Sequence, residues 1–142
     1  MDALAASDYP VIVYSGYERT QLTALATEFP DLSVALNGVI ARLADLLPIV
    51  RSAVYLPEFR FSNSIKSVAP ALCPGFDYDD LDGVADGLAA SSAFHQIASG
   101  AITVPDQLAK LRVQLLAYCE RDTLAMVEAH QALMQLKVPE LA

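Results

Sequence analysis

Cysteine, positive charge and long apolar runs are all scarce in this sequence. Its 142 residues include two cysteines, Cys73 and Cys119, and neither belongs to a CxxC pair or stands near a histidine at zinc spacing. Both are therefore expected to be reduced structural thiols. No apolar run approaches the ~20 residues that a membrane span needs, and the N-terminus lacks the basic start of a signal peptide. We expect a cytoplasmic protein with no membrane partner.

Acidic residues outnumber basic ones by 17 to 9, which gives a formal net charge of −8 at pH 7. This balance repels polyanions at long range, so the global charge argues against nucleic acid. The local balance differs, because Arg51, Arg60 and Lys66 occur in a segment whose only acid is Glu58. Two interpretations stay open for Arg60 and Lys66: solvated surface, or contacts to a phosphate backbone.

The composition indicates a folded protein, since hydrophobic residues make up 54% of the chain and charged residues 18%. The length fits one domain and no internal repeat divides it, so we predict a single domain over residues 1–142. The one strong strand signal is the apolar run after Pro10, which predicts a strand at about residues 10–15 of a mostly parallel sheet. Apolar residues at helical spacing dominate the rest. The predicted fold class is α/β, predominantly helical, with the longest helix at the C-terminus.

Helix boundaries follow from prolines and capping residues. A helix after the strand is expected to end at Pro30, and Asp45 is expected to restart a short helix that contains Pro48. Ser64 can cap another helix, and the final one is expected to start near Pro105. An isolated strand needs a partner, which a second copy of the chain, a short strand near residues 54–55 or an upstream segment could supply. We therefore predict a homodimer, or association with a missing N-terminal portion.

The most informative stretch is Tyr118-Cys-Glu-Arg-Asp122, which places a carboxylate on the core-facing stripe of the final helix. Burying an unpaired charge costs several kcal/mol, so roughly that much must be recovered by protonation, pairing or a bound cation. Asp122 could pair with Arg19, Arg51 or another basic group. Alternatively, it could lie at the edge of the stripe with its carboxylate exposed to water. Tyr118 could serve packing alone.

This stretch and the segment Tyr14-Ser15-Gly-Tyr17-Glu18 resemble the C-terminal domain of a bacterial family of unknown function related to RecB-type nucleases. That domain is similar to ribonuclease H-like exonucleases of the DEDD (DnaQ-like) type. The likeness extends over nearly the whole chain, and it implies the later portion of a partial ribonuclease H-like fold.

The resemblance implies a metal-dependent 3′-to-5′ exonuclease-like domain that hydrolyses nucleic-acid phosphodiesters. Four acids hold two Mg²⁺ or Mn²⁺ ions in such enzymes, and by resemblance Glu18 and Asp122 are the third and fourth acids. Tyr118 would orient the attacking water. Ser15, Arg60 and Lys66 are the expected nucleic-acid contacts.

No Asp-x-Glu strand precedes the first predicted strand, so half of the metal-binding acids are missing. We expect weak or absent metal binding and an inactive isolated chain, with nucleic acid as partner only in the intact protein. The alternative is a non-catalytic interaction module that self-associates or completes a larger protein. Glu18 also has a structural alternative, because Ser15 and Glu18 have the spacing of a capping box.

Overall fold

A computed structural model describes residues 8–81, 83–84 and 86–136, and it divides the chain into two compact units at Asn63 and Ser64. Each unit is described by itself. The single domain predicted above stays a prediction.

The first unit alternates strands with helices, as expected for a parallel arrangement. Its regular elements are β1 (Val11–Val13), α1 (Tyr17–Glu28), α2 (Ser33–Ile40), β2 (Leu43–Asp45) and α3 (Leu47–Ala53), with 3₁₀ turns at Pro30–Leu32 and Pro57–Phe59.

The two strands pair in parallel, with Val11 opposite Leu43 and Val13 opposite Asp45. The partner of β1 is therefore not the predicted segment near residues 54–55, where Val54 caps the end of α3. Asp45 ends a strand and precedes α3, which begins at Leu47 rather than at Asp45. The carboxyl ends of both strands therefore lie at one edge of the sheet, where the loops after β1 and β2 begin.

Helix α1 packs on α2, and the buried apolar residues of this unit come from β1, the residue after each strand, two helices and a 3₁₀ turn. The least exposed are Val50 at 0% and Phe59 at 2%. Burial of each such side chain contributes about 1.5–3 kcal/mol. Leu36 and Val39 bury one face of α2, as the helical spacing predicts.

The second unit is helical throughout its regular elements. These are α4 (Ile65–Leu72), α5 (Gly87–Ala98) and α6 (Pro105–Gln135). Ser64 caps α4 as predicted, because its Oγ accepts a hydrogen bond from Lys66 N at 3.4 Å. Asp86 caps α5 by accepting from Ala89 N at 2.8 Å. Pro70 lies inside α4.

Small residues bring α4 and α6 together, since Ala69, Ala125 and Ala129 form one cluster and are all 0% exposed. A second cluster joins α5 to α6 through Ala93 and Tyr118. One face of α6 is therefore fixed by packing over most of its length, and this face carries the predicted site residues.

The predominantly helical α/β fold class is confirmed, with two short parallel strands and six α-helices among the described residues. The finer assignment to a ribonuclease H-like fold stays a prediction. Among the described helices, none combines the length and hydropathy that a membrane crossing requires.

Candidate functional site

Asp45 organises the carboxyl edge of the two strands in the first unit. Its Oδ1 accepts hydrogen bonds from Ser15 N at 2.7 Å and from Leu47 N at 2.9 Å. The bond to Leu47 orders the start of α3, although the N-cap residue is Leu46 rather than Asp45. The bond to Ser15 secures an unusual backbone, because Ser15 has φ +88°. Such a conformation costs of order 1–3 kcal/mol in a non-glycine residue, and it persists where the surroundings enforce it.

Glu18 lies in the first turn of α1 and makes no capping box. The N-cap residue is Gly16, and Ser15 Oγ accepts a long 3.4 Å hydrogen bond from Tyr17 N instead. The structural alternative drawn from the spacing of Ser15 and Glu18 is therefore wrong. The Oε2 atom of Glu18 is buried and has no hydrogen-bond partner among the described residues. A buried acceptor without a donor is uncommon, because most buried polar atoms in folded proteins are paired.

Tyr14 directly follows β1 and links it to Asn63, the last residue of this unit. Its hydroxyl donates a 2.7 Å hydrogen bond to the carbonyl of Asn63. Burial raises the pKa of Tyr14 from 10.0 to about 12, the charge of Asp45 adds to the rise, and Arg51 opposes it. The residue is structural, since its hydroxyl is already engaged.

The second unit assembles Lys66, Tyr78, Tyr118 and Asp122, which we call the Asp122 cluster. Tyr118 and Asp122 lie one turn apart on α6, on the face that packs against the other helices. The Lys66 ammonium nitrogen lies 4.8 Å from the Tyr118 ring centroid and 5.3 Å from that of Tyr78. Both distances fall within the range of cation–π attraction. Lys66 is half-buried rather than solvated surface.

Both phenols of the cluster are kept protonated by their surroundings. Burial raises the pKa of Tyr118 well above its usual range, and the hydrogen bond and charge of Asp122 raise it further. Burial, the charge of Asp122 and a hydrogen bond to its carboxylate likewise raise the pKa of Tyr78, which Arg121 opposes. Tyr78 therefore lies close to the carboxylate. By strict geometry, however, its Oη and Asp122 Oδ1 are both buried without a hydrogen-bond partner.

Arg121 belongs to a different set of contacts. It bonds the carbonyl of Asp77, forms a 2.6 Å ion pair with Asp80 Oδ2, and lies over the ring of Phe76 at 5.7 Å. The guanidinium thus holds the aspartate-rich loop onto α6. It does not supply the donor that Asp122 Oδ1 lacks.

The predicted nucleic-acid contacts belong to both units: Ser15 and Arg60 to the first, and Lys66 to the second. Ser15 lies directly before α1, and exposed Arg60 ends the 3₁₀ turn at Pro57–Phe59 with φ +50°. Lys66, in the other unit, lies near the predicted catalytic residue Tyr118. The binding role of all three stays a prediction.

The structure brings Tyr118, Asp122 and Lys66 together in the second unit, and it places Ser15 and Glu18 at one helix start in the first. Juxtaposition of Glu18 with Asp122 stays a prediction. In the part of the chain that is described, no group of three or more His, Cys, Asp or Glu side chains is arranged to hold a metal ion. Sequence reasoning missed Tyr78, and the signal that could have found it is an aromatic residue flanked by two aspartates, Asp77 and Asp79.

Comparison with known proteins gives one match. Residues 1–64 match the family model described as a domain of unknown function (DUF2779), which is slightly less than half of the chain. The matched segment ends one residue beyond the first compact unit. This agrees with a likeness to a family of unknown function. No curated protein and no solved structure matches the chain.

Proposed function

We propose that this chain is part of a metal-dependent 3′-to-5′ exonuclease-like domain that hydrolyses phosphodiesters of nucleic acids. The observation that carries the proposal is the buried Oδ1 of Asp122, which has no hydrogen-bond partner although the carboxylate is close enough to the Tyr118 phenol to raise its pKa. A carboxylate oxygen in such a position costs several kcal/mol, roughly, unless a cation or donor binds it.

Each of the two predicted acids suits a hard divalent cation. Glu18 and Asp122 each present a buried oxygen without a donor, and carboxylate oxygens are the ligands that Mg²⁺ and Mn²⁺ prefer. One or two protein carboxylates suffice for Mg²⁺ only when phosphate and water oxygens complete its octahedron. We therefore expect weak binding by the chain alone. When bound, the ion would neutralise phosphate charge and make water a better nucleophile.

The neighbouring side chains take complementary roles in this proposal. Tyr118 is a neutral phenol next to Asp122, so it can hold a water molecule by hydrogen bonding without adding negative charge. Lys66 supplies the positive charge that attracts a phosphate, and its contacts with two rings restrict its position. Ser15 and Arg60 are the further proposed contacts to the sugar-phosphate backbone.

Calorimetric titration with Mn²⁺ tests the metal site in the complete chain. We expect weak binding by the unmodified chain, and a loss of about tenfold or more in affinity for Asp122→Asn and for Glu18→Gln, since each removes an anionic ligand and keeps the side-chain shape. Asp106→Asn is the matched control, because Asp106 is an exposed carboxylate on the same helix as Asp122.

Equal heats from the unmodified chain and Asp122→Asn would remove Asp122 as a ligand and contradict the proposal. A comparable loss in Asp106→Asn would show that Mn²⁺ responds only to net charge. Circular dichroism of each variant checks that the helices are retained.

A non-catalytic interaction module is the second candidate. Large apolar side chains remain exposed along the outer face of α6, with Val113 at 65%, Leu116 at 69% and Met134 at 75% exposure. Exposed apolar patches of this kind mark protein contacts in many soluble proteins. This function would leave the Mn²⁺ titrations of all variants alike, and it predicts self-association or assembly with a larger protein.

A further inference from the structure

The turn at Arg60 and Phe61 has an unusual backbone. Both residues have positive φ, +50° for Arg60 and +62° for Phe61. This left-handed region is uncommon for residues other than glycine, and a bulky side chain there is a clear exception. Two such residues in succession cost conformational free energy, so the surrounding structure must hold them in place.

Hydrogen bonds and packing hold this turn on both sides. Phe59, directly before the turn, is 2% exposed and belongs to the core of the first unit. Arg60 N donates a 3.0 Å hydrogen bond to the carbonyl of Pro57, and Ser62 N donates a 2.9 Å hydrogen bond to the carbonyl of Phe59. The backbone is therefore anchored both before and after Phe61.

The Phe61 ring takes no part in this anchoring. It is 95% exposed, more than any other large apolar side chain in the described part of the chain. A single exposed apolar residue is ordinary on a protein surface. An exposed ring on a left-handed, anchored backbone is not, because glycine would adopt the same backbone without strain. The sequence thus has a phenylalanine where the backbone favours glycine and where the ring adds nothing to the core.

The surroundings of the ring suit a nucleotide. Arg60, its neighbour in the sequence, is also exposed, and residues 46–63 contain two arginines against one acid although the whole chain has a net charge of −8. An aromatic ring can stack on the face of any base, and a guanidinium can bind the attached phosphate. Bases inside a duplex are covered by their neighbours, so an unpaired base is the one that offers a free face.

We infer that Phe61 and Arg60 form a binding site for one unpaired nucleotide, in which the ring stacks on the base and the guanidinium binds the phosphate. This site rests on the proposed nucleic-acid function, and it specifies a single strand as the form that is bound. One stacked base and one phosphate contact give weak binding. The isolated chain should therefore bind a mononucleotide in the millimolar range, whereas stable binding of a polymer requires further contacts in the intact protein.

The sequence contains no tryptophan, which provides a direct test. Phe61→Trp introduces one reporter at the site, and thymidine 5′-monophosphate in the presence of EDTA should quench its fluorescence with saturation in the millimolar range. Phe29→Trp is the matched control, because Phe29 is a 49% exposed aromatic residue of the same unit. Its quenching should be linear in nucleotide concentration, as expected for random collisions.

The phosphate contact is tested in the same assay. Adding Arg60→Gln to Phe61→Trp should weaken binding of thymidine 5′-monophosphate by about two- to fivefold, since the removed charge is exposed to solvent. Thymidine, which lacks the phosphate, should bind both variants equally. Unchanged affinity in the Arg60→Gln variant would overturn the phosphate contact. Linear quenching of Phe61→Trp, equal to that of Phe29→Trp, would overturn the stacking site and is the result expected if the ring instead enters a pocket of a protein partner.

A stability measurement separates this role from a structural one. Phe61→Gly relieves the left-handed strain, so its midpoint of urea unfolding should be unchanged or higher. In NMR spectra, the nucleotide should shift the amide signal of residue 61 in the unmodified chain but not in Phe61→Gly. A lower midpoint would show that the ring serves the fold and would contradict the inference. None of these measurements involves Mn²⁺ or Asp122, so equal Mn²⁺ heats from the unmodified chain and Asp122→Asn would overturn the hydrolytic function separately from the nucleotide site.

Discussion

At the edge of the small sheet, hydrogen bonds made by single side chains stabilise the local structure more than the pairing of the two short strands does. Asp45 accepts two backbone hydrogen bonds, and Tyr14 reaches across the unit to Asn63. Hydrogen bonds to a charged acceptor contribute about 1.5–3 kcal/mol each, whereas a two-stranded pairing is marginal by itself. The strained backbone at Ser15 is thus supported by a carboxylate on the neighbouring strand.

The raised pKa of Tyr14 predicts a loss of stability at high pH. Because the folded state keeps the phenol protonated up to about pH 12 and the unfolded chain releases its proton near 10.0, this contribution is complete below pH 10 and is lost as pH rises towards 12. It amounts to about 3 kcal/mol, at about 1.4 kcal/mol per pKa unit. Urea unfolding at about pH 9 and about pH 11.5 should show a smaller decrease for Tyr14→Phe than for the unmodified chain.

At neutral pH, Tyr14→Phe should cost about 1–2 kcal/mol, because the Asn63 carbonyl loses its donor. Tyr17→Phe is the control, since Tyr17 is 66% exposed. Parallel pH profiles for the unmodified chain and Tyr14→Phe would show that the phenol does not couple to folding.

The longest element, α6, owes its position to small residues rather than to large ones. Ala125 and Ala129 are completely buried against Ala69 of α4, which allows the two helices to approach closely. Alanine has high helix propensity, so this face combines local helix preference with close packing. Tyr118 and Asp122 lie on the same packed face of α6.

Ala129→Leu should destabilise the chain by about 1–3 kcal/mol, because a larger side chain has no space at this contact. The exposed Ala117 on the same helix provides the control, and Ala117→Leu should change the free energy of unfolding by less than about 0.5 kcal/mol. Denaturant unfolding measures both. An equally stable Ala129→Leu variant would show that α4 can move away from α6 without cost.

The elements that sequence reasoning found are those with a strong local signal. Apolar β-branched residues predicted β1, and Ser64 and Pro105 predicted the starts of α4 and α6. The second strand was missed because Leu43–Asp45, unlike β1, contains no β-branched residue. Its pairing depends on β1, which is distant in sequence.

The same distinction holds for the candidate site. Tyr118 and Asp122 could be recognised because their four-residue spacing places them on one helix face. Lys66 and Tyr78 join them through packing of α4 and the following loop on α6, which no local pattern reports. The absence of a capping box at Glu18 likewise depends on the left-handed backbone of Ser15. A serine in the sequence does not predict this conformation, which non-glycine residues rarely adopt.

At the scale of the whole molecule, the open edge of the sheet is the feature that bears on assembly. Val11 N bonds the carbonyl of Arg42, and Val13 O accepts from Leu46 N, so β1 uses alternate residues to pair with β2. The N–H and C=O of Ile12 therefore point towards the opposite edge of β1. Within the described residues, no further strand pairs there.

We predict that two copies of the chain pair through this edge to form a dimer, because an unpaired strand edge is a template for another strand. Light scattering should give twice the 15.2 kDa of one chain. Ile12→Pro should yield a folded monomer, since proline removes only the N–H on the open edge. Val11→Pro is the contrasting variant, because it removes the N–H that bonds Arg42 and should therefore unfold the first unit.

A monomer at all concentrations would refute edge pairing. A dimer that survives Ile12→Pro but dissociates in Leu116→Glu would move the contact to the exposed apolar face of α6, since a charge there is tolerated only if the face remains in water. That second result would also favour the interaction module over the hydrolase, because the α6 contact requires no metal ligand. The two variants thus separate an assembly driven by backbone hydrogen bonds from one driven by apolar burial.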